Sequence, residues 1–417
     1  MKEKLLSWID NSVSLAVELE TELTKRPAIS PDSGGEGELD KCLFLESWLK
    51  AHGITHLERF DAPDDRAKGG VRPNLIATIN GDDDGGEEKE RLWIMSHIDV
   101  VPPGEKKLWQ SDPWTVVRAD DGPLGPRLIG RGVEDNQQGI VSSVLAVLAF
   151  TAQGLKPART IKLLFAADEE TGSVFGIEWL VKNHGSLFRK NDMVLVPDGG
   201  DINGELIEIA EKNIMWMRFT THGKQSHGSR PDLGANAFLA ASDLAVRLHN
   251  GLSGIFSDCD PLFSPDYSTF QPTKKEANVP NINTIPGEDV FYMDMRVLPR
   301  YSRNAVIAEI YLIKVKIEKE YHVTVEYSFN QLTESMPTAA DAPIVKLLEK
   351  AIPEVYDVTP KPIGIGGGTV SAYLRNIGID CAVWTKTQVS MHQPNEYALL
   401  DNILGDAKVM ALLGLGE

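Results

Sequence analysis

The sequence predicts an α/β protein, a mostly parallel mixed sheet flanked by helices, with an inserted α+β domain. Three observations predict it. Between about residues 74 and 196, short apolar runs suited to buried strands alternate with helical segments, the pattern of a parallel sheet with helices on both faces. From about residue 212 apolar residues instead alternate with polar or mixed neighbours: Met215, Met217 and Phe219, then Phe291, Met293, Met295 and Val297, then Val323, Val325, Tyr327 and Phe329. Strands of that kind cover one face only and suit an antiparallel sheet. The first pattern resumes at Ala342. The expected organisation is one domain in two parts, 1–211 and 331–417, with 212–330 inserted.

The elements follow in order. Leu5, Ile9, Val13, Ala16 and Leu23 fall on one face of a first helix, and Leu39, Cys42, Leu43 and Leu49 on one face of a second that stops near Gly53. Asn74 to Ile79 and Leu92 to Met95 read as buried strands, Gly139 to Phe150 as a helix, and Thr160 to Ala167 as a strand. Val174 to Lys182 reads as a helix and Met193 to Val196 as a strand. In the inserted segment, one helix is expected from about Ala235 to Leu248, and another carries Val306, Ile310, Ile313 and Ile317. The acidic run Gly81 to Glu90 reads as a solvated loop.

Composition narrows the classes. The chain has 417 residues, 42% hydrophobic and 24% charged, with a formal net charge of -18. That length suits two domains, and that charge argues against nucleic acid and against an anionic membrane surface. Cys42, Cys259 and Cys381 are too few and too widely spaced for a disulfide frame or a thiolate zinc site. The first residues lack the apolar core of a signal peptide, and no apolar run approaches the roughly 20 residues that span a bilayer. A soluble cytoplasmic protein is expected.

Chemistry-bearing residues gather where predicted strands end. Met95-Ser96-His97-Ile98-Asp99 closes an apolar strand with a His and, two residues on, an Asp. Residues two apart share a strand face, so Asp99 can orient the imidazole from behind. Asp135 stands in the Gly-rich turn Gly130 to Asn136 before a helix, either as its N-cap or as a ligand. Asp168, Glu169 and Glu170 are consecutive at the end of another strand, where like charges oppose one another unless cations intervene. A surface turn rich in acids is the alternative. Asp198 closes a third apolar run, and His392 lies in the loop Met391 to Glu396 before the last helix. Ligands in such sheets collect at the carboxyl ends of strands. Two imidazoles with several carboxylates and no thiolate suit zinc, cobalt or manganese.

Three further segments are open to two readings. Gly364 to Thr369 precedes a short helix and is either a tight turn or a cradle of N–H groups for a carboxylate. Asp294 and Arg296 share the polar face of a strand, as ordinary surface pairs do. His227 lies in the stretch His222 to Pro231 between a strand and a helix, where a His is commonly just exposed.

With these residues in order, the chain resembles the di-zinc peptidase family of aminoacylase, acetylornithine deacetylase, succinyl-diaminopimelate desuccinylase, carnosinase-type dipeptidases and bacterial glutamate carboxypeptidase. The similarity spans nearly the whole chain, through the motifs H-x-D, D-E-E-x-G and the late H-x-P-N-E. It implies a zinc exopeptidase-like catalytic domain and an inserted lid and dimerisation domain. It also implies two divalent ions: Asp135 bridging both, His97 and Asp198 completing one, Glu170 and His392 the other. Glu169 is then the general base and Asp99 the orienting partner of His97. By the same resemblance Arg296 clamps a substrate carboxylate, Asn283 binds substrate, and Gly366, Gly367, Gly368 and Thr369 form the cradle. His227 reaches the partner's active site in a homodimer. The expected activity is a dipeptidase or exopeptidase acting on a small peptide. The alternatives are an amidohydrolase of N-acyl amino acids, of desuccinylase or deacetylase type, and a non-catalytic binding protein on the same fold. Asp at position 198, where the deacylase branches typically have Glu, moves the expectation toward peptides.

Overall fold

A computed structural model describes residues 1–82 and 89–416, so most of the acidic run from Gly81 lies outside the described residues. The chain divides into two compact units.

The first unit comprises Met1–Ile209, Thr338–Pro362 and the chain from Tyr373 onward. It is built on an eight-stranded sheet in the order Leu57–Pro63, Val71–Ile79, Ile161–Ala166, Leu92–His97, Met193–Asp201, Asp380–Lys386, Leu206–Glu211 and Lys361–Ile365, the last two of which run on into the second unit. The four central strands, from Ile161–Ala166 to Asp380–Lys386, are parallel. The strands flanking this core, Val71–Ile79 and Leu206–Glu211, are antiparallel to it. Leu92–His97 and Ile161–Ala166 are buried along their whole length, which is why they read as nearly continuous apolar runs, interrupted by Lys162 and closed by Ser96 and His97, rather than as alternation. Their register sets His97 beside Ala166, so the two strands deliver His97 and the acids after Ala167 to the same end of the sheet.

The helix Gln138–Ala152 is buried on every side over 138–150 because it packs against the closing helix Leu400–Leu415 as well as against strands. Burying each Leu, Val or Phe of it stabilises the fold by about 1.5–3 kcal/mol. At its start, a Cβ on Gly139 would come within 2.9 Å of the Pro197 carbonyl oxygen. Glycine there lets the helix approach the strand end that carries Asp198. The expected first helix is two, Lys2–Asp10 and Val13–Thr24. Between them the Asn11 amide donates to the Ser7 carbonyl and the Ser12 hydroxyl to that of Trp8, local bonds that compete with continuing the helix.

The second unit comprises Ala210–Pro337 with Ile363–Ala372. The glycine-rich segment from Gly364 therefore groups here rather than with 331–417. Its antiparallel sheet runs Thr269–Lys275, Glu288–Val297, Asn213–His222, Thr324–Thr333. Helices Ala237–Ile255 and Arg303–Tyr321 supply the apolar residues that pack on one face. Met215, Met217, Phe219, Met293 and Met295 point into that core, and Phe219 stacks on Phe291 with ring centres 5.0 Å apart. Both helices begin at a side-chain cap: Asn236 accepts the Leu239 N–H and Ser302 that of Ala305. Among the described residues, no helix is long and apolar enough to cross a membrane.

Candidate metal centre

Five of the expected ligands meet at the carboxyl end of the parallel strands. His97 is the last residue of its strand, Glu170 follows Ile161–Ala166 by one turn, and Asp198 lies near the end of Met193–Asp201. Asp135 stands in the irregular turn leading into Gln138–Ala152, and His392 in the loop before Tyr397–Leu399. They form two triads that share Asp135. In the first, His97 Nε2 lies 3.0 Å from Asp135 Oδ1 and 3.5 Å from Asp198 Oδ1. In the second, His392 Nε2 lies 3.0 Å from Asp135 Oδ2 and 3.1 Å from Glu170 Oε2. The two oxygens of one carboxylate thus face two different ligand sets.

Asp99 does more than sit behind His97. Its Oδ1 lies 3.3 Å from His97 Nδ1, and its two oxygens also accept the backbone N–H groups of Glu169 and Glu170 at 3.1 and 3.0 Å. One carboxylate therefore orients the imidazole and the turn that carries the two glutamates. The run of three acids resolves in the same place. Asp168 adopts a left-handed backbone, φ 64°, a conformation that costs a non-glycine residue energy and clusters at functional sites. Its side chain points away from the cluster, accepting the Phe175 N–H and pairing with the buried Arg72 at 3.0 Å. Only Glu169 and Glu170 remain at the site.

Four further residues support the site, and three of them, Asn136, Arg72 and Arg131, carry no clear mark in the sequence. Asn136 donates to the Pro197 carbonyl at 2.6 Å and to Asp198 at 2.8 Å, which sets that carboxylate. Glu396 accepts the N–H groups of Gly132, Glu134 and Asp135 and pairs with Arg131. Arg72 and Arg131 are hidden because a buried arginine looks like any surface one in a sequence. Glu396 had a signal, its place in the late H-x-P-N-E run.

The electrostatics call for positive charge at the centre. Burial, then the neighbouring Asp198, pushes the Glu169 carboxyl well above its usual value. Burial also raises Glu170 and Asp198. Burial opposes charge on His97, yet Asp198, Asp135 and Asp99 hold its imidazole well above the usual range. Asp135 and Glu170 lift His392 to about 10. Against burial, hydrogen bonds from His392 and His97 hold Asp135 below the usual range, but Glu169, Glu170 and Asp198 resist ionisation beside imidazoles that cling to protons, as in a set short of cations. Within each triad the ligand atoms lie within 4.8 Å of one another. Nitrogen and oxygen donors at such spacing fit zinc or a similar divalent ion.

The remaining expected residues belong to the second unit. Arg296 grips Asp294 through Nε and Nη2 at 2.6 and 3.0 Å and donates from Nη1 to the Gly366 carbonyl at 2.8 Å. The Thr369 hydroxyl donates to Glu211 at 2.6 Å. The helix after Gly366, Gly367, Gly368 and Thr369 is only Ser371–Arg375, too short to build much of a dipole. His227 and Asn283 lie side by side: His227 pairs with Thr284 in a two-residue ladder, and the Gly228 N–H donates to the Asn283 carbonyl. His227 is exposed, with its Nδ1 2.8 Å from the Ser229 hydroxyl.

A parallel-sheet core with His and carboxylate triads at its strand ends defines a metal-dependent hydrolase. The family model for peptidase family M20/M25/M40 matches residues 93–415, and the chain belongs to that family. It is 36% identical over 411 residues to an uncharacterised metallohydrolase of Methanococcus maripaludis, an alignment covering 94% of this chain and 97% of the relative. Among solved structures it resembles aminopeptidase PepT of Bacillus cereus, with TM-score 0.76, 19% identity and coverage of 97% and 98% of the two chains. It also resembles the dipeptidase Dug1p of Saccharomyces cerevisiae, with TM-score 0.72, 16% identity and coverage of 100% and 98%. At those identities the structural likeness concerns the fold.

Proposed function

We propose that the chain is a two-metal peptidase that cuts dipeptides or other small peptides, with zinc as the resident ion and cobalt or manganese as substitutes. The observation that carries this reading is the position of Asp135, whose two oxygens each face a separate His–carboxylate set. His97, Asp135 and Asp198 would hold one ion, and Asp135, Glu170 and His392 the other. Bound there, two divalent ions would polarise the scissile carbonyl and make water nucleophilic near neutral pH.

The chain's own groups do the rest. Glu169 takes the proton of the attacking water and passes it to the leaving amine, the role of a general base that becomes a general acid. Asp99 keeps Glu169 and Glu170 on their separate tasks by holding both of their backbone N–H groups. Arg296, released from Asp294, would take the substrate carboxylate, with the glycines 366–368 and Thr369 beside it and Asn283 as a further contact. The second unit, within about 212–330, would serve as lid and dimer interface. There the exposed His227 would reach the partner's site and donate where negative charge develops. Cys42, Cys259 and Cys381, none of them in a disulfide, suit a reducing, cytoplasmic setting.

Two measurements test the proposal. Elemental analysis of metal-replete protein should find two ions per chain, and Asp135→Ala should lose most of both. A panel of dipeptides set against N-acetyl and N-succinyl amino acids should show preferential cleavage of the peptides. One ion or none, or turnover of the N-acyl amino acids alone, would overturn it.

A further inference from the structure

The two loops that carry Asp135 and His392 are joined by a pair of buried carboxylates that cross over. Glu396, fully buried, is four residues past His392 and reaches back to the loop of Asp135. Its Oε1 accepts the N–H groups of Glu134 and Asp135, both at 3.0 Å, and its Oε2 the Gly132 N–H at 2.9 Å and Arg131 Nη1 at 2.5 Å. Glu134, immediately before Asp135 and 6% exposed, reaches the other way. Its Oε1 accepts the Thr387 hydroxyl at 2.7 Å and the Gln388 N–H. Its Oε2 accepts the Ser390 N–H at 2.5 Å and the Ser390 hydroxyl at 2.6 Å. Each carboxylate is thereby filled by four donors, about its full capacity. A buried carboxylate is costly without such partners.

His392 has particular need of the arrangement. The side chain of His97 is 3% exposed, and the strand around it holds it in place. That of His392 is 53% exposed, on a backbone with φ 62°. Little packs against it, so its position must come from the loop. Ser390 Oγ closes the loop's base by accepting the Tyr397 N–H at 3.0 Å. Glu134 then fixes that base to the residue next to Asp135.

We propose that Glu134 is a positioning residue that sets the affinity of the ion held by Asp135, Glu170 and His392, while leaving the ion held by His97, Asp135 and Asp198 nearly untouched. This rests on the ligand assignment proposed above. Asp135 keeps its own anchor, the bond from its N–H to Glu396, when Glu134 is removed. Only the His392 side of the second triad loses support. Partners of this outer kind typically contribute about 10–100-fold to metal affinity.

The test is stepwise zinc titration of metal-free protein against a chromophoric chelator, with elemental analysis after dialysis. The parent should take two ions. Glu134→Ala should hold one at parental affinity and bind the other about 10–100-fold more weakly. Thr387→Val, which removes one of the four donors, should weaken the same ion by less, and it carries the test alone if Glu134→Ala does not fold. General destabilisation would lower the melting temperature of the metal-free protein without choosing between the ions. A variant that binds both ions like the parent, or weakens both equally, overturns the role of Glu134. A parent that takes fewer than two ions instead defeats the ligand assignment.

Discussion

Replacing Arg72 by methionine should cost the first unit a large part of its stability. Arg72 is fully buried and serves three carboxylates. Its Nε and Nη2 grip Glu38, Nη2 also reaches Asp168 at 3.0 Å, and Nη1 lies 3.6 Å from Asp64. The side chains of all three are at most 3% exposed. Methionine fills much of the volume but takes the Arg72 cation from the buried Glu38 and Asp168, while Asp64 keeps Arg66, and breaking such a buried pair typically costs about 3–5 kcal/mol. Whole domains are stable by only about 5–15 kcal/mol, so the variant should unfold at markedly lower urea. The measurement is urea denaturation of parent and variant after chelation, because bound ions would add their own stabilisation to both. Arg72→Lys keeps the charge and loses the fork, and should fall between them. Asp168 also accepts the hydroxyl of Thr171, the last residue of the turn that carries Glu169 and Glu170, so kcat should drop in the surviving folded fraction. A methionine variant within about 1 kcal/mol of the parent would refute the account, since it would mean that these carboxylates tolerate burial unpaired.

Glu169→Gln keeps the shape of the side chain but cannot take a proton, and should lower kcat by roughly 10²–10⁴ with metal content unchanged; a near-normal rate would remove Glu169 from the role of base. His227→Ala should lower kcat strongly with both ions retained, and mixed dimers of His227→Ala with Glu169→Gln chains should recover activity. Mixed dimers as inactive as either parent would rule out action across the interface. Burial lifts Asp406 from 3.8 to about 6 despite donors from Thr385, Tyr356 and Gln138. Its folded value lies above its unfolded one, so its contribution is full below about pH 4 and is lost as pH rises through 6. The parent should therefore lose roughly 2 kcal/mol between pH 4 and 7 relative to Asp406→Asn; urea midpoints that move in parallel for the two proteins would contradict it.

What could be read from the sequence follows from which residues are buried on a regular period. Leu92–His97 and Ile161–Ala166 announce themselves because every position is covered, and Met215, Met217 and Phe219 because every second one is. The strands Leu57–Pro63 and Thr269–Lys275 do not, since each bears several exposed residues and lies at a sheet edge. An edge strand owes its place to a neighbour's unpaired backbone, which leaves no trace in side-chain pattern. The same holds at the site. His97 and Asp198 are visible because they cap apolar runs, whereas the partners of Glu134 lie more than 250 residues away. Asp168 shows the limit most plainly. It belongs to the acidic run, yet its function is set by Arg72, ninety-six positions earlier.

The pairing of helix Gln138–Ala152 with helix Leu400–Leu415 carries a consequence for biosynthesis. The first of these is mostly apolar and buried on every side, yet its covering partner leaves the ribosome about 250 residues later, which at about 5–20 residues per second is roughly 12–50 s. The strand Asp380–Lys386, which completes the parallel core, arrives nearly as late. Meanwhile the nascent chain exposes its greasiest helix and the naked edge of Met193–Asp201, the kind of surface that invites aggregation. Slow translation or scarce chaperones should therefore reduce soluble yield, and variants that weaken the closing helix should be lost to proteolysis or inclusion bodies before their chemistry can be measured.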